Sequence, residues 1–291
     1  MAESVVDERD LISTKVVLPK VDGSEDIVFV SKKFCHSSAD IAIISSDDVQ
    51  FKLHKKNLAF NTGGFPPLEF ARGTNIELEQ VNLSERGYIL DLLFQFAYPQ
   101  RYPDVKSLAV DILSELADAA EKYEVYGAIS VCDIVMRFTI PTHPVEVFAY
   151  ATRYNYLDLA DEAAPFVLGT PLSDLADKLS ADALTGWIRY LAWWDTFSRL
   201  WTKYLIQSTM KSRNTICLKG DCLEECTTLI TTLGASMVSM KMLVDLTEKI
   251  SCTHCKPYAT ALVTAATTKF SGAPKFRTYL RGQPGNTSDV V

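Results

Sequence analysis

The spacing of the apolar residues changes near residue 84, and this change limits the folds open to the chain. Before that point, short runs alternate apolar and polar residues, as in VQFKL (49–53) and NIELEQV (75–81). Alternation is typical of a half-buried β-strand. After that point, apolar residues recur every three or four positions, which is the period of a helix. The sequence therefore predicts an α+β fold, with a small sheet first and helices after it.

The strand-forming part of the sequence is compact. Residues 26–30 (DIVFV) and 39–46 (ADIAIISS) are rich in β-branched residues. An Asp–Asp pair follows the second run and separates it from 49–53, so we predict a hairpin there. HKKNLAF (54–60) then changes period and is predicted to be a short helix. Residues 1–24 mix charges and show no period, which predicts a flexible arm.

The rest of the chain is predicted to be a series of helices. Ser84 is a candidate N-cap, Pro103 is placed to start the next helix, and Gly169 is placed to end a later one. The longest helix, 182–206, contains all four tryptophans, three of them on one stripe. Such a stripe is typical of a buried core or a seam. Further helices are expected at 126–137, from Pro144, at 221–248 and at 255–270.

Charge and the N-terminal residues exclude several classes of protein. A net charge of −7 without a basic cluster argues against a nucleic-acid-binding protein. The most apolar long segment, 183–206, carries four charged side chains, so we expect no membrane span. The opening residues MAESVVDERDL lack the basic start and apolar run of a signal peptide. We therefore expect a cytoplasmic or nuclear protein, or both, with reduced cysteines.

Two cysteine pairs near the C-terminus allow two interpretations. Cys222 and Cys226 share one helix face, and Cys252 and Cys255 form a C-x-x-C. If their helices form a hairpin, the four thiolates could hold a structural zinc ion. The alternative is that they are buried thiols that act as small apolar side chains, with no cofactor. A redox role for the C-x-x-C is disfavoured, because the flanking sequence is helical rather than βαβ.

No other stretch carries a motif for chemistry. The sequence lacks a glycine-rich phosphate loop and a G-x-S-x-G elbow, and its four histidines are scattered. We therefore expect a protein that is not an enzyme.

Three segments of the first half carry a family resemblance. ADIAIISSDDVQFKLHKKNLAF, LLFQFAYP and LADAAEKYEV together resemble a BTB/POZ domain. More narrowly, GGFPPLEF, AYPQRYPDV and HPVEVFAYATRYNYLDLADEAAP are similar to the BTB-domain proteins of mushroom-forming fungi. The resemblance implies a small β-sheet flanked by helical hairpins at 25–140. An all-helical C-terminal region at 141–278 and a flexible tail at 279–291 would follow.

The resemblance also implies roles for three residues of this chain. The acidic residue that opens the family's first strand matches Asp40, and the basic residue after its strand-end histidine matches Lys55. In relatives these two form a charged pocket, so we hypothesise that Asp40 and Lys55 pair. The alternative is that Asp40 caps the strand entry and Lys55 is solvated. The histidine matches His54, which we interpret as a structural, hydrogen-bonded core residue.

A protein of this family is expected to bind another protein or a second copy of itself. The familiar exchanged N-terminal helix is not expected, because 24–38 is β-like. Some relatives are adaptors of cullin-based ubiquitin ligases through a hydrophobic-x-Glu motif, but Glu69, Glu77 and Glu79 do not fit it. A non-catalytic interaction module is therefore the leading prediction. The cullin adaptor and a zinc-stabilised regulatory or transcription-associated protein are the alternatives.

Overall fold

The structure, a computed structural model, is α+β, as the sequence predicts. It describes residues 11–19, 25–65, 78–211, 247–250, 252–253, 255–270 and 273–280. The chain divides into two compact units between Phe138 and Thr139. The first unit contains a mixed five-stranded sheet, and the second is helical.

The sheet has the strand order β1-β2-β4-β3-β5. Parallel pairs join β2 to β4 and β3 to β5, whereas β1–β2 and β3–β4 are antiparallel. The strands are β1 Ser13–Pro19, β2 Glu25–Cys35, β3 Ile41–Ile44, β4 Val49–Leu53 and β5 Glu79–Asn82.

The predicted hairpin is formed by β3 and β4. Asp48 adopts a positive φ of 65° in its turn, a conformation that Asp tolerates better than most residues. Asp47 accepts a hydrogen bond from the Ser45 hydroxyl at 2.6 Å and another from the Gly87 backbone N–H at 2.7 Å. The turn therefore also holds the start of the helix that begins at Gly87.

The prediction of a flexible arm at 1–24 is wrong for residues 13–19. They form β1, whose register pairs Val16 with Val28 and Ser13 with Ser31. Lys15 and Val17 are exposed on this strand, so its sequence lacks a fully apolar face. Pairing with the long β2 supplies the missing backbone partners. The Asp22-Gly23 pair in the sequence between the two strands is a hairpin signal that the prediction overlooked.

The first unit carries four α-helices in the described part, and two predicted helix starts are wrong. The second helix begins at Gly87 rather than after Ser84, because Asp47 caps it from the hairpin. Near Pro103 the chain forms a short 3₁₀ helix, Val105–Ser107, after which the next α-helix starts at Val110. The helices are α1 Lys55–Asn61, α2 Gly87–Ala97, α3 Val110–Lys122 and α4 Tyr126–Thr139.

Aromatic rings form the centre of this unit. Phe51 of β4 is fully buried, and its ring lies 5.3 Å from that of Phe94 of α2 and 6.3 Å from that of Phe34 of β2. Phe34 and Phe94 meet edge to face at 5.9 Å. The three rings therefore join two strands and one helix.

The second unit has helices where the sequence predicts them, within the described part. Pro144 is at the start of its helix, and Gly169 has a φ of +92° just beyond another. The predicted helix 221–248 lies outside the described residues except 247–248. The helices are α5 Pro144–Arg153, α6 Leu157–Val167, α7 Leu172–Ala176, α8 Ala181–Lys211 and α9 Lys256–Phe270. Among the described helices, none has the length and hydropathy to cross a membrane.

The tryptophan stripe of α8 lies partly in the core of the second unit. Trp187 is fully buried and Trp194 is 6% exposed, whereas the Trp201 side chain lies outside the described part. A second 3₁₀ helix, Phe276–Tyr279, packs against α8. Its last residue, Tyr279, belongs to the predicted tail, so the prediction of a flexible tail is wrong at that residue.

A buried carboxylate joins α2 to β2. The Asp91 side chain is 3% exposed, and its Oδ2 lies 2.9 Å from the Lys33 Nζ. Gln95 Nε2 donates to the same oxygen at 3.0 Å, whereas Oδ1 has no hydrogen-bond partner in the described part of the chain. Burial raises the pKa of Asp91 even though Lys33 opposes this effect.

This pKa predicts how stability depends on pH. Above about pH 4, the unfolded state has released the proton that the folded state still holds on Asp91. The contribution of Asp91 to the free energy of unfolding should therefore fall as pH rises toward the folded pKa. This contribution is the difference in the free energy of unfolding between the wild type and the Asp91→Asn variant. Urea denaturation at several pH values between about 4 and 7 measures it. The Lys33→Met substitution should make this difference fall more steeply with pH, because it removes the group that opposes burial. A difference that grows with pH would show instead that the Lys33–Asp91 ion pair outweighs burial.

Glu85 joins the residues before α2 to the end of α3. Its two carboxylate oxygens accept hydrogen bonds from Lys122 Nζ at 2.7 Å and from the Tyr123 hydroxyl at 2.6 Å. Burial raises the pKa of Glu85, but these hydrogen bonds outweigh burial and hold the pKa below its usual value. Burial, followed by the bond to Glu85, raises the pKa of Tyr123.

We expect Tyr123→Phe to lower the free energy of unfolding by about 1 kcal/mol, because it removes a charge-assisted hydrogen bond from a largely buried ring. Chemical denaturation measures the change. Tyr126→Phe is the matched control, because its hydroxyl donates to Glu124 at the surface. Equal effects of the two variants would contradict a specific role for the bond to Glu85.

Candidate protein-interaction surface

Asp40 and Lys55 contact each other, but not through the predicted ion pair. Asp40 Oδ1 accepts a hydrogen bond at 2.7 Å from the Lys55 backbone N–H, at the first residue of α1. The Lys55 ammonium instead lies 2.6 Å from Glu79 Oε2. The hypothesis of an Asp40–Lys55 side-chain pair is therefore wrong. The alternative is wrong for Lys55, whose ammonium pairs with Glu79 instead of being solvated. Helix starts leave backbone N–H groups without helical partners, and Asp40 satisfies one of them.

The register of the sheet explains why Glu79 takes the ammonium. Glu79 of β5 pairs with Ile41, the residue that follows Asp40. Both carboxylates therefore lie near the start of α1. Asp40 binds the backbone N–H of Lys55, and Glu79 binds the Lys55 side chain.

His54 is held by hydroxyl groups on both sides of its ring. Its Nε2 lies 3.0 Å from Ser38 Oγ, and its Nδ1 lies 3.1 Å from the Tyr98 hydroxyl. The same hydroxyl accepts a hydrogen bond from the His54 backbone N–H at 2.9 Å. His54 is thus hydrogen-bonded as predicted, although it is half-buried rather than part of the core.

Tyr98 orders the junction between β4 and α1, so its hydroxyl should contribute to stability. We expect Tyr98→Phe to lower the free energy of unfolding by about 1–2 kcal/mol, because the variant leaves the His54 N–H without its acceptor. Thermal or chemical denaturation measures this. Tyr102→Phe is the control, because the Tyr102 hydroxyl makes no hydrogen bond within the described residues. No effect of Tyr98→Phe would mean that water replaces the hydroxyl.

A groove lies between α1 and the turn that follows α2. Its volume is about 530 Å³. Asn61 closes its base, since Nδ2 donates to the Ala97 carbonyl at 2.8 Å and to the Asn57 carbonyl at 3.1 Å. The lining mixes aromatic or apolar residues with polar ones: Phe60, Phe96, Tyr98, Pro99 and Tyr102, and Lys56, Asn57, Asn61 and Gln100.

Three exposed aromatic side chains form what we call the aromatic patch: Phe60, Tyr102 and Tyr126. Their exposed fractions are 88%, 49% and 59%. Phe60 and Tyr102 line the groove. Two glycines allow the close approach of the tyrosines. A Cβ on Gly127 would lie 3.0 Å from the Tyr102 hydroxyl, and one on Gly63 would lie 2.4 Å from the Tyr126 hydroxyl.

Sequence reasoning missed the aromatic patch. Within α1, Leu58 is buried, whereas Phe60 two residues later is exposed. The segment HKKNLAF shows both as apolar positions of a short helix, and it does not show which one meets the core. The only available signal was the excess of apolar side chains over what a seven-residue helix can bury on one face.

Two of the four proposed zinc ligands lie outside the described residues. Cys222 and Cys226 fall outside the described residues, while Cys252 is half-buried and Cys255 is fully buried just before α9. Within the described residues, no three His, Cys, Asp or Glu side chains are grouped to hold a metal ion. The zinc interpretation therefore stays a prediction. So does the cullin interpretation, because most of 65–80 lies outside the described residues.

Comparison of the chain with protein-family models gave no match, and comparison with curated proteins gave none either.

Proposed function

We propose that this chain is a non-catalytic protein–protein interaction module of the BTB/POZ type, and that the aromatic patch is its contact surface. The observation that carries the proposal is the exposure of Phe60, Tyr102 and Tyr126, the first two of which line one groove. Aromatic side chains dominate the binding energy of protein interfaces, and their burial against a partner is favourable.

The order of the elements supports the BTB/POZ part of the proposal. A β3–β4 hairpin leads into the short helix α1, and β5 then pairs parallel with β3. Three helices, α2 to α4, follow. This order of hairpin, short helix, strand and helices is the one that the resemblance of 25–140 implies.

The N-terminal strands affect where the contact would lie. Residues 25–35 form β2, a strand, in the region where relatives exchange a helix. We therefore place association on the aromatic patch, whose residues belong to α1, α4 and the segment between α2 and α3.

Contacts of the two tyrosines support a preformed site. The Tyr102 ring lies 4.7 Å from the Phe96 ring, and a Cβ on Gly127 would lie 3.0 Å from its hydroxyl, so its neighbours restrict its orientation. Tyr126 donates a hydrogen bond to Glu124 at 3.2 Å. Ordered side chains lose less conformational entropy on binding, which increases affinity for a given buried area.

The contact must extend beyond the three rings. A stable interface buries about 1,000 Å² or more in total, so the groove and its polar border would be part of it. Lys56 at the edge of the groove favours a partner with an acidic group nearby.

The test is a Phe60→Ala, Tyr102→Ala double variant of the full chain. We expect the variant to lose partner binding or self-association by at least about tenfold, because both rings lie at the centre of the proposed contact. Sedimentation equilibrium measures self-association, and quantitative affinity purification compares bound proteins. The matched control is Leu172→Ala, Ile188→Ala, which removes two exposed apolar side chains from the second unit.

Loss of binding in the aromatic variant alone, with a folded chain by circular dichroism, would support the proposal. Unchanged binding in both variants would place the contact elsewhere.

A further inference from the structure

Residues 273–280 (APKFRTYL) lie against helices α5, α6 and α8 of the second unit, and we call them the C-terminal strap. The only regular structure in the strap is the 3₁₀ helix Phe276–Tyr279. Four residues of 3₁₀ helix do not hold their shape alone. The strap therefore depends on the helices beneath it.

Phe276 is the apolar anchor of the strap. Its side chain is 1% exposed, and its ring meets Phe148 of α5 edge to face at 4.7 Å. Tyr190 of α8 lies 5.8 Å away at an angle of 90°, and Trp187 lies 6.1 Å away. Three aromatic residues from two helices thus form a socket for one ring.

Arg277 supplies a second, charged contact. Its backbone N–H donates to Asp161 Oδ1 at 2.9 Å. Its guanidinium contacts both Asp161 and Asp158 of α6. The Asp161 side chain is 8% exposed and that of Asp158 is 77% exposed. The Arg277–Asp161 pair is therefore largely buried, whereas the Arg277–Asp158 pair is screened by salt. The planar guanidinium carries several N–H donors in fixed directions, so it can contact two carboxylates at once.

The third contact depends on a residue without a side chain. A Cβ on Gly186 of α8 would lie 3.1 Å from the Leu280 Cδ2 and 3.3 Å from the Tyr279 carbonyl oxygen. The Tyr279 ring also lies 5.8 Å from that of Tyr190. The surface of α8 therefore accommodates the strap backbone closely.

We propose that α5, α6 and α8 form a peptide-recognition groove for an aromatic–Arg–x–aromatic segment, which the strap fills in cis. A partner segment of the same chemistry would compete with the strap for the groove. The proposal goes beyond the aromatic patch, because every residue that carries it belongs to the second unit. Because the strap occupies the groove of its own chain, a partner segment can bind only after the strap has dissociated.

Peptide binding to the full chain tests the proposal. The probe is a fluorescent APKFRTYL peptide, followed by anisotropy. We expect the Phe276→Ala, Arg277→Ala chain to bind it at least about tenfold more tightly than the wild type, whose groove is already occupied. The same peptide with either of those two substitutions should bind the released chain at least about tenfold more weakly.

Arg199→Ala is the matched control, because it removes an exposed Arg–Asp pair of α8 that does not touch the strap. It should leave peptide binding at the wild-type level. A released chain that is folded by circular dichroism and does not bind the peptide would overturn the proposal, since the strap would then be a fixed part of the core.

Hydrogen exchange gives a second test if the double variant does not fold. In the wild type, the amides of Arg277, Thr278 and Leu280 should exchange at least about tenfold faster than those of Ala160 and Ala163 in α6, because the strap opens without unfolding the unit. Arg277→Ala should increase the difference and Arg199→Ala should not. Equal exchange rates in the strap and α6 would overturn the proposal.

Discussion

The packing of Phe51 is the contact on which the first unit depends. Phe51 occupies the middle of β4, a central strand, and touches a ring from β2 and a ring from α2. This packing fixes the end of α2 relative to the sheet. Tyr98, the residue after α2, can then reach the backbone of His54 where β4 becomes α1. The position of α1, and with it the groove that Phe60 and Tyr102 border, follows from that core.

Polar side chains in this unit mainly satisfy backbone groups at the junctions between elements. Asp40 binds the first N–H of α1, Asp47 binds the first N–H of α2, and Tyr98 binds the N–H of His54. A buried or half-buried N–H without an acceptor costs more than an exposed ion pair contributes. This difference explains why Asp40 contacts the backbone of Lys55, while the Lys55 side chain takes a partner from another strand.

The second unit uses aromatic packing in a different way. Its core is completed by Phe276, which lies far along the chain from the helices that surround it. A short segment near the end of the described residues therefore supplies one ring of this core. In the first unit the rings of Phe60 and Tyr102 are exposed at a groove, whereas in the second unit the ring of Phe276 is buried among other aromatic rings.

The sequence alone determined the class of fold and most of its elements, because hydrophobic periodicity is a local property. The β3–β4 hairpin, α4, the start of α5 at Pro144 and the end of α6 before Gly169 follow from neighbouring residues. Tertiary structure alone decided that Asp47 rather than Ser84 caps α2 and that Lys55 pairs with Glu79. Each of these contacts joins residues distant in sequence, so its energy appears only when the core has brought them together. The exposure of Phe60 has the same origin, since burial depends on which side of a helix the rest of the chain covers.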